Sequence, residues 1–219
     1  MVQQRVRVKI CGLTQIDDVD TSVQAGADAI GLVFYAKSAR AVNLARAREL
    51  RDAVPAFVDV VALFVNAPHA EVLDVIDQVD PDLLQFHGDE SPGYCASFGR
   101  RYIRAFRLGA PALASSDAVL ENVRAYSDAA GWLFDSYSSG YGGSGLAFDA
   151  GLLRGVQSAK DGRPLILSGG LAPQTVAAAV ETLRPYAVDV SSGVEASPGI
   201  KSAEKIKAFI AAVRSTQRL

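Results

Sequence analysis

Several residues of this chain that could take part in chemistry end short apolar runs of the kind that form buried strands. Cys11 ends the first such run, His87 the fourth, and Asp135 the sixth. A thiol, an imidazole and a carboxylate can each exchange protons with a ligand when the surroundings adjust their acidity. The reactive side chains are therefore concentrated at strand ends, where a single site could form.

Each of these residues also has an ordinary structural explanation. A lone cysteine is usually buried and inert, an aspartate after a strand can cap a loop, and a histidine can be a satisfied core residue. The strand-end position favours a chemical role for Cys11 and Asp135, whereas a contact role for His87 is favoured less strongly. The second cysteine, Cys95, falls inside a helical pattern, which predicts packing.

The elements that must position these residues alternate between short β-rich runs and helix-period runs, eight times each. The predicted strands are Val6–Cys11, Ala29–Phe34, Val58–Val65, Leu83–His87, Tyr102–Phe106, Trp132–Asp135, Pro164–Ser168 and Ala187–Ser191. The predicted helices are Ile16–Ala25, Leu44–Val54, His69–Val79, Ser91–Phe98, Ala114–Ala129, Ala150–Gln157, Pro173–Thr182 and Ala203–Val213. Asn43 is expected to cap the second helix, and Pro173 to open the seventh.

Eight repeats in 219 residues predict an α/β fold, a single closed (β/α)8 TIM barrel occupying residues 1–219 as one domain. A doubly wound open sheet is the alternative, although it usually has fewer strands. In a (β/α)8 barrel the active site lies at the carboxyl ends of the strands, where the polar residues of this chain are found.

Two turns after the last two predicted strands indicate an anion site. A single Gly-Gly pair is a common turn, but two small-residue turns at these places form the usual phosphate site of a barrel, through backbone N–H groups. The expected phosphate-binding residues are Gly169, Gly170, Ser191, Ser192 and Gly193. The run Gly142–Gly145 after the sixth strand is expected to be a lid or a third wall.

Composition excludes several classes of function. The formal charge is −2 with no basic block, so no nucleic-acid partner is expected. No apolar run is long enough to cross a bilayer and no signal peptide is evident, so we expect no membrane partner and a cytoplasmic location. The two cysteines and two histidines match no metal spacing, and no metal site is expected.

The strand-end motifs resemble the phosphoribosylanthranilate isomerase family of tryptophan biosynthesis. The matching segments are KICGLT (Lys9–Thr14), FYAKSARAV (Phe34–Val42), LLQFHGDE (Leu83–Glu90), GWLFDSYSSGYGGSG (Gly131–Gly145), LILSGGLAP (Leu165–Pro173) and VDVSSGVEASPGIKS (Val188–Ser202). The pairing of the first and last of these motifs is the specific signal. This chain has Ala39 where the family usually has proline, but it keeps the arginine that follows.

The resemblance implies a role for each site residue. Cys11 would be the general base that removes the ribose C2 proton, and Asp135 the general acid that protonates the ring oxygen. Arg40 would bind the anthranilate carboxylate, and His87 and Asp189 would line the substrate. A thiol is mostly protonated and a carboxyl mostly ionised at pH 7, so both roles require adjusted surroundings, such as a positive charge near the thiol.

The expected reaction is an Amadori rearrangement of N-(5-phosphoribosyl)anthranilate to 1-(2-carboxyphenylamino)-1-deoxyribulose 5-phosphate. No cofactor is expected, because the substrate's own nitrogen serves as the electron sink. The enzyme would be a monomer or a homodimer. A Schiff-base aldolase using Lys9, a barrel that binds a phospho-ligand without turnover, and a related phosphoribosyl substrate such as the histidine-pathway aminoaldose stay open as alternatives.

Overall fold

Eight parallel strands close into a barrel in the computed structural model, which describes residues 5–136 and 149–216. The expected lid at Gly142–Gly145 lies outside these residues. The barrel strands are β1 (Arg7–Cys11), β2 (Ala29–Phe34), β3 (Asp59–Phe64), β4 (Leu83–Phe86), β5 (Tyr102–Leu108), β6 (Gly131–Ser136), β7 (Leu165–Leu167) and β8 (Ala187–Val190). Each strand pairs with its neighbours in the chain, and β8 pairs with β1, which confirms the predicted fold class.

Helices follow the strands and cover the outside of the barrel. They are α1 (Ile16–Ala25), α2 (Leu44–Asp52), α3 (His69–Val79), α4 (Pro92–Ala96), α5 (Ser116–Arg124), α6 (Arg154–Ser158), α7 (Val176–Leu183) and α8 (Ala203–Ser215). Short 3₁₀ turns occupy Pro111–Leu113, Ala150–Leu153 and Ser192–Val194. Within the described ranges, no helix combines the length and the apolar character needed to cross a bilayer.

Side chains along each strand point alternately out of and into the barrel, which divides the core into two layers. The carboxyl end of the barrel, its upper end, is left for the site. Side chains that face outward from the strands pack against the helices. The helices contribute their apolar faces to this layer, as α8 does with Ile206, Phe209, Ile210 and Val213. Inward-facing side chains fill the lower barrel with an apolar plug: Val61, Leu83, Ile103, Ala105, Leu133, Ile166 and Ala187. The polar residues above this plug can therefore face one another.

Some predicted element bounds fail, because local chemistry delays the start of a helix or because the chain adds an element. Pro173 does not open α7, because Thr175 Oγ1 accepts the Ala172 N–H in a turn that delays the helix to Val176. The prediction for Asn43 is confirmed, since its side chain accepts the Arg46 N–H at 2.8 Å. An antiparallel hairpin that the sequence analysis did not foresee, β9 (Glu195–Ser197) and β10 (Ile200–Lys201), follows β8.

Candidate active site

An open cavity lies at the carboxyl ends of the barrel strands. All ten residues predicted for the site line it: Cys11, Arg40, His87, Asp135, Gly169, Gly170, Asp189, Ser191, Ser192 and Gly193. Residues that are distant in sequence therefore line one cavity.

Cys11 ends β1 beside a buried ion pair. Lys9, two residues earlier on the same face, places its Nζ 2.8 Å from Asp189 Oδ1, and both side chains are almost fully buried. Asp189 Oδ2 also receives a long hydrogen bond of 3.5 Å from Ser168 Oγ. Asp189 thus lines the cavity and at the same time holds Lys9 beside the thiol.

The electrostatic setting of Cys11 has two opposing parts. Burial raises the pKa of the thiol above its ordinary value, and the charges of Lys9 and Lys201 lower it again without cancelling the effect of burial. The positive charge expected near the thiol is therefore present. The thiolate forms only at a higher pH than for a free cysteine, and it is then a stronger base.

Lys9 itself stays protonated. Burial alone would favour the neutral amine, but Asp189 and the charge on Cys11 outweigh burial and raise the pKa of Lys9 to about 12. A Schiff-base lysine must be neutral to attack a carbonyl group. This arrangement argues against the aldolase alternative.

Asp135, near the end of β6, accepts one backbone hydrogen bond and lies beside the ring of His87. Its Oδ1 accepts the backbone N–H of Ser136 at 2.8 Å, and its Oδ2 lies 3.3 Å from His87 Nε2. The other ring nitrogen of His87, Nδ1, lies 3.1 Å from the carboxamide nitrogen of Gln85. His87 therefore connects Asp135 to a buried glutamine, a role that sequence reasoning did not foresee.

The two turns after β7 and β8 pack directly against each other. Gly169 and Gly170 have φ values of +81° and +66°, a left-handed backbone conformation that glycine adopts without strain. A Cβ on Gly193 would lie 1.9 Å from the Leu171 carbonyl oxygen, so only glycine allows this approach. Within the described ranges, the N–H groups of Gly170 and Gly193 have no hydrogen-bond partner. They are free to bind an oxyanion.

Arg40 is held by the hairpin that follows β8. Its Nε and Nη2 donate to the two carboxylate oxygens of Glu195 at 2.6 and 2.8 Å. Glu195 also accepts from Lys201 Nζ at 2.9 Å, and these hydrogen bonds outweigh the effect of burial and lower the pKa of Glu195. A guanidinium has five donors, so Arg40 can hold Glu195 with one edge and still offer donors to a ligand.

An apolar wall completes the cavity beside Arg40. It is formed by Val33 of β2, Leu63 of β3 and Val65, which follows β3 directly. Tyr35 packs against these three residues. Such a surface suits an aromatic ring with a carboxylate directed at the nearby arginine. Sequence reasoning missed this wall, because apolar strand-end residues look like core until the cavity is seen.

Comparison with known proteins places the chain among its relatives. Residues 8–212 match the family model described as N-(5'phosphoribosyl)anthranilate (PRA) isomerase. The N-(5'-phosphoribosyl)anthranilate isomerase of Bordetella bronchiseptica is 60% identical over 98% of this chain and 99% of its own. A phosphoribosyl anthranilate isomerase solved with reduced 1-(o-carboxyphenylamino)-1-deoxyribulose 5-phosphate is 37% identical at a TM-score of 0.82, over 96% of this chain and 99% of its own. A structure of monomers of the dimeric Thermotoga maritima isomerase has a TM-score of 0.82 and 35% identity over the same shares. This chain belongs to the phosphoribosylanthranilate isomerase family.

Proposed function

We propose that this chain is the isomerase of tryptophan biosynthesis that converts N-(5-phosphoribosyl)anthranilate to 1-(2-carboxyphenylamino)-1-deoxyribulose 5-phosphate. The observation that carries the proposal is the order of functional groups around the cavity. Following the barrel from β6 to β3, the groups are a carboxylic acid, two turns that can bind phosphate, a thiol, and an apolar wall with an arginine. The substrate has parts that match each of them.

The order of the groups agrees with the order of the substrate's parts. Ribose lies between the phosphate and the anthranilate in the substrate, and Cys11 on β1 lies between the phosphate turns on β7–β8 and the apolar wall on β2–β3. The ribose carbons are therefore expected next to the thiol. Asp135 on β6 approaches the same sugar from the other side of the phosphate turns, which suits a second proton transfer.

The reaction follows from these positions. The acid form of Asp135 gives its proton to the ribose ring oxygen while the C1–O bond breaks, and the anthranilate nitrogen supplies the electron pair that makes the C1–N Schiff base. The Cys11 thiolate then takes the proton from C2. The C2–H electrons form the C1–C2 double bond of an enolamine and neutralise the nitrogen, and tautomerisation gives the ketose.

Arg40 is proposed to bind the anthranilate carboxylate. Its side chain lines the cavity beside the apolar wall, and Glu195 fixes the plane of the guanidinium before any ligand arrives. A bidentate contact from a pre-positioned guanidinium avoids much of the side-chain entropy that ordering would cost. Asp189, which is bonded to Lys9, is proposed to reach the ribose hydroxyls with its remaining lone pairs.

The direct test is isomerisation of freshly made phosphoribosylanthranilate, followed by loss of its anthranilate fluorescence. Cys11→Ser and Asp135→Asn are each expected to lose about 10²- to 10⁴-fold in kcat, while both still bind a product analogue. The matched controls are Cys95→Ser in α4 and Asp161→Asn on the surface, both outside the cavity. A wild-type protein that binds the analogue without turnover would favour the non-catalytic alternative.

We further propose that the chain forms a homodimer. Phe57, in the loop between α2 and β3 at the amino ends of the strands, is fully exposed. An exposed aromatic ring is a common anchor of a protein interface, and a relative of this chain is dimeric. Light scattering should give a dimer mass for the wild type and a monomer mass for Phe57→Ser. The control is Leu73→Ser, which removes another exposed apolar side chain and should stay a dimer. A wild-type monomer would refute the proposal.

A further inference from the structure

Gln85 is a buried polar residue whose hydrogen-bonding capacity is only partly used. It lies on β4 between Leu63 of β3 and Ile103 of β5, which offer its side chain no polar group, and it has no exposed surface. Its Nε2 reaches His87 Nδ1 at 3.1 Å, while its Oε1 has no partner in the described part of the chain. A buried amide with an unused oxygen is costly, which indicates that its contact with His87 has a function.

The orientation of this amide decides which nitrogen of His87 carries the proton. With the NH₂ group toward His87, Nδ1 must accept, and the proton of the neutral ring lies on Nε2. Nε2–H then faces Asp135 Oδ2, 3.3 Å away, while Oδ1 accepts the Ser136 N–H. Both oxygens of Asp135 face donors in this arrangement, so neither contact favours the acid form that must deliver a proton.

Turning the amide by 180° reverses the direction of both hydrogen bonds. Gln85 Oε1 would then accept from Nδ1–H of His87. Nε2 of His87 would become an acceptor, which requires an O–H on Asp135. The change takes up one proton: an acid in the solvent (hydronium or buffer) protonates Nδ1 of His87, and the former Nε2 proton moves to Asp135 Oδ2. The amide oxygen gains a partner while the amide nitrogen gives up its contact with Nδ1, and Asp135 becomes an acid that can donate.

We propose that Gln85 is a positioning residue that sets the direction of the hydrogen bond between His87 and Asp135 and so loads the acid. The proposal rests on the role of Asp135 in the proposed function. The charged and titratable groups that face the pair from neighbouring strands are Cys11 of β1, Asp189 of β8 and Arg107 of β5, which is opposite Asp135 in register and paired with Asp89. Among the described residues, the side chain of Gln85 has a hydrogen bond with His87 and with none of these groups, so a change at Gln85 acts through His87.

The tautomer of His87 can be read directly by ¹⁵N NMR of histidine-labelled protein. The chain has two histidines, and His69, which is exposed and stacked on Phe98, serves as the internal reference. In the ligand-free wild type we expect the Nε2–H tautomer for His87. In Gln85→Glu the carboxylate accepts from Nδ1–H, so the Nδ1 proton should appear and the alkaline limb of kcat/KM should move to higher pH.

Gln85→Met supplies a second variant of similar shape with no strong hydrogen bond. Both tautomers of His87 should then be populated, and kcat should fall roughly ten- to a hundredfold, part of what an acid contributes, with KM changed less than threefold. Gln157→Met, whose amide binds the Leu183 carbonyl away from the cavity, is the control. An unchanged His87 tautomer in Gln85→Glu, or an unchanged kcat and pH profile in Gln85→Met, would overturn the proposal. Turnover of Asp135→Asn at the wild-type rate would instead show that Asp135 is not the general acid of the proposed function. The NMR measurement would still show whether Gln85 sets the tautomer of His87.

Discussion

Replacing Gly193 with alanine is the smallest change that should separate the two phosphate turns. The added Cβ would lie 1.9 Å from the Leu171 carbonyl oxygen, 2.9 Å from its carbonyl carbon and 3.1 Å from Ala172 Cα. All three contacts are backbone atoms, so no side chain can rotate away. Because Leu171 follows Gly170 directly, any relief of the clash moves one turn relative to the other.

The size of the effect follows from this geometry. A non-bonded carbon and oxygen need about 3.3 Å, so the turns must separate by roughly 1.4 Å, whereas N–H···O bonds operate over a range of about 0.5 Å. At least one backbone hydrogen bond to the phosphate should therefore be lost. A hydrogen bond to a charged group contributes about 1.5–3 kcal/mol, which corresponds to a rise in KM of roughly 10- to 150-fold.

The assay is steady-state fluorescence over a range of substrate concentrations, with thermal unfolding to check that the variant is folded. We expect KM to rise much more than kcat falls, because the phosphate is remote from the bonds that change. Gly93→Ala in α4 is the matched control, since a Cβ there meets nothing within 4 Å. A folded Gly193→Ala enzyme whose KM stays within about twofold of wild type would place the phosphate elsewhere.

Three further predictions concern the other groups of the site and the core. Arg40→Ala should lower kcat/KM by roughly thirtyfold, about 2 kcal/mol, and a substrate analogue without the carboxylate should show almost no such loss; equal losses for both substrates would remove Arg40 from that role. With substrate deuterated at C2, Cys11→Ser should show a larger isotope effect than Asp135→Asn, in which ring opening becomes slow; the reverse order would exchange the two roles. Burial raises the pKa of Cys95 to about 12, so the folded state holds this proton after the unfolded chain has lost it, and stability should fall as pH rises from about 8.5 toward 12. Cys95→Ala should flatten that decline in urea unfolding measured across this pH range, and an unchanged slope would contradict the assignment.

The fold could be predicted from the sequence because its signals are local. Strands buried on both faces are short apolar runs, so β2 has the predicted bounds, and α1 and α3 also begin and end at the predicted residues. The hairpin at 195–201 was missed, since its two short strands have no apolar alternation. That residues 1–219 form a single domain stays a prediction.

The candidate site could be predicted only as a set of residues. Strand ends identify Cys11 and Asp135, because the carboxyl ends of a barrel meet at one opening. The contacts between the residues could not be predicted, because they depend on register and on packing across the barrel. His87 meets Asp135 from β4 to β6, and Arg40 meets Glu195 across 155 positions of sequence.

The hairpin after β8 has a consequence for engineering this barrel. Loops at the carboxyl end of such barrels are commonly treated as interchangeable modules, but here the hairpin binds two others: Glu195 holds Arg40 of the loop after β2, and the Gly199 carbonyl accepts from Thr14 of the loop after β1. A loop carrying Arg40 that is transplanted alone would lose the partner that orients its guanidinium. Substrate recognition in this barrel therefore depends on three loops that are bonded to one another, and a loop graft should exchange all three together.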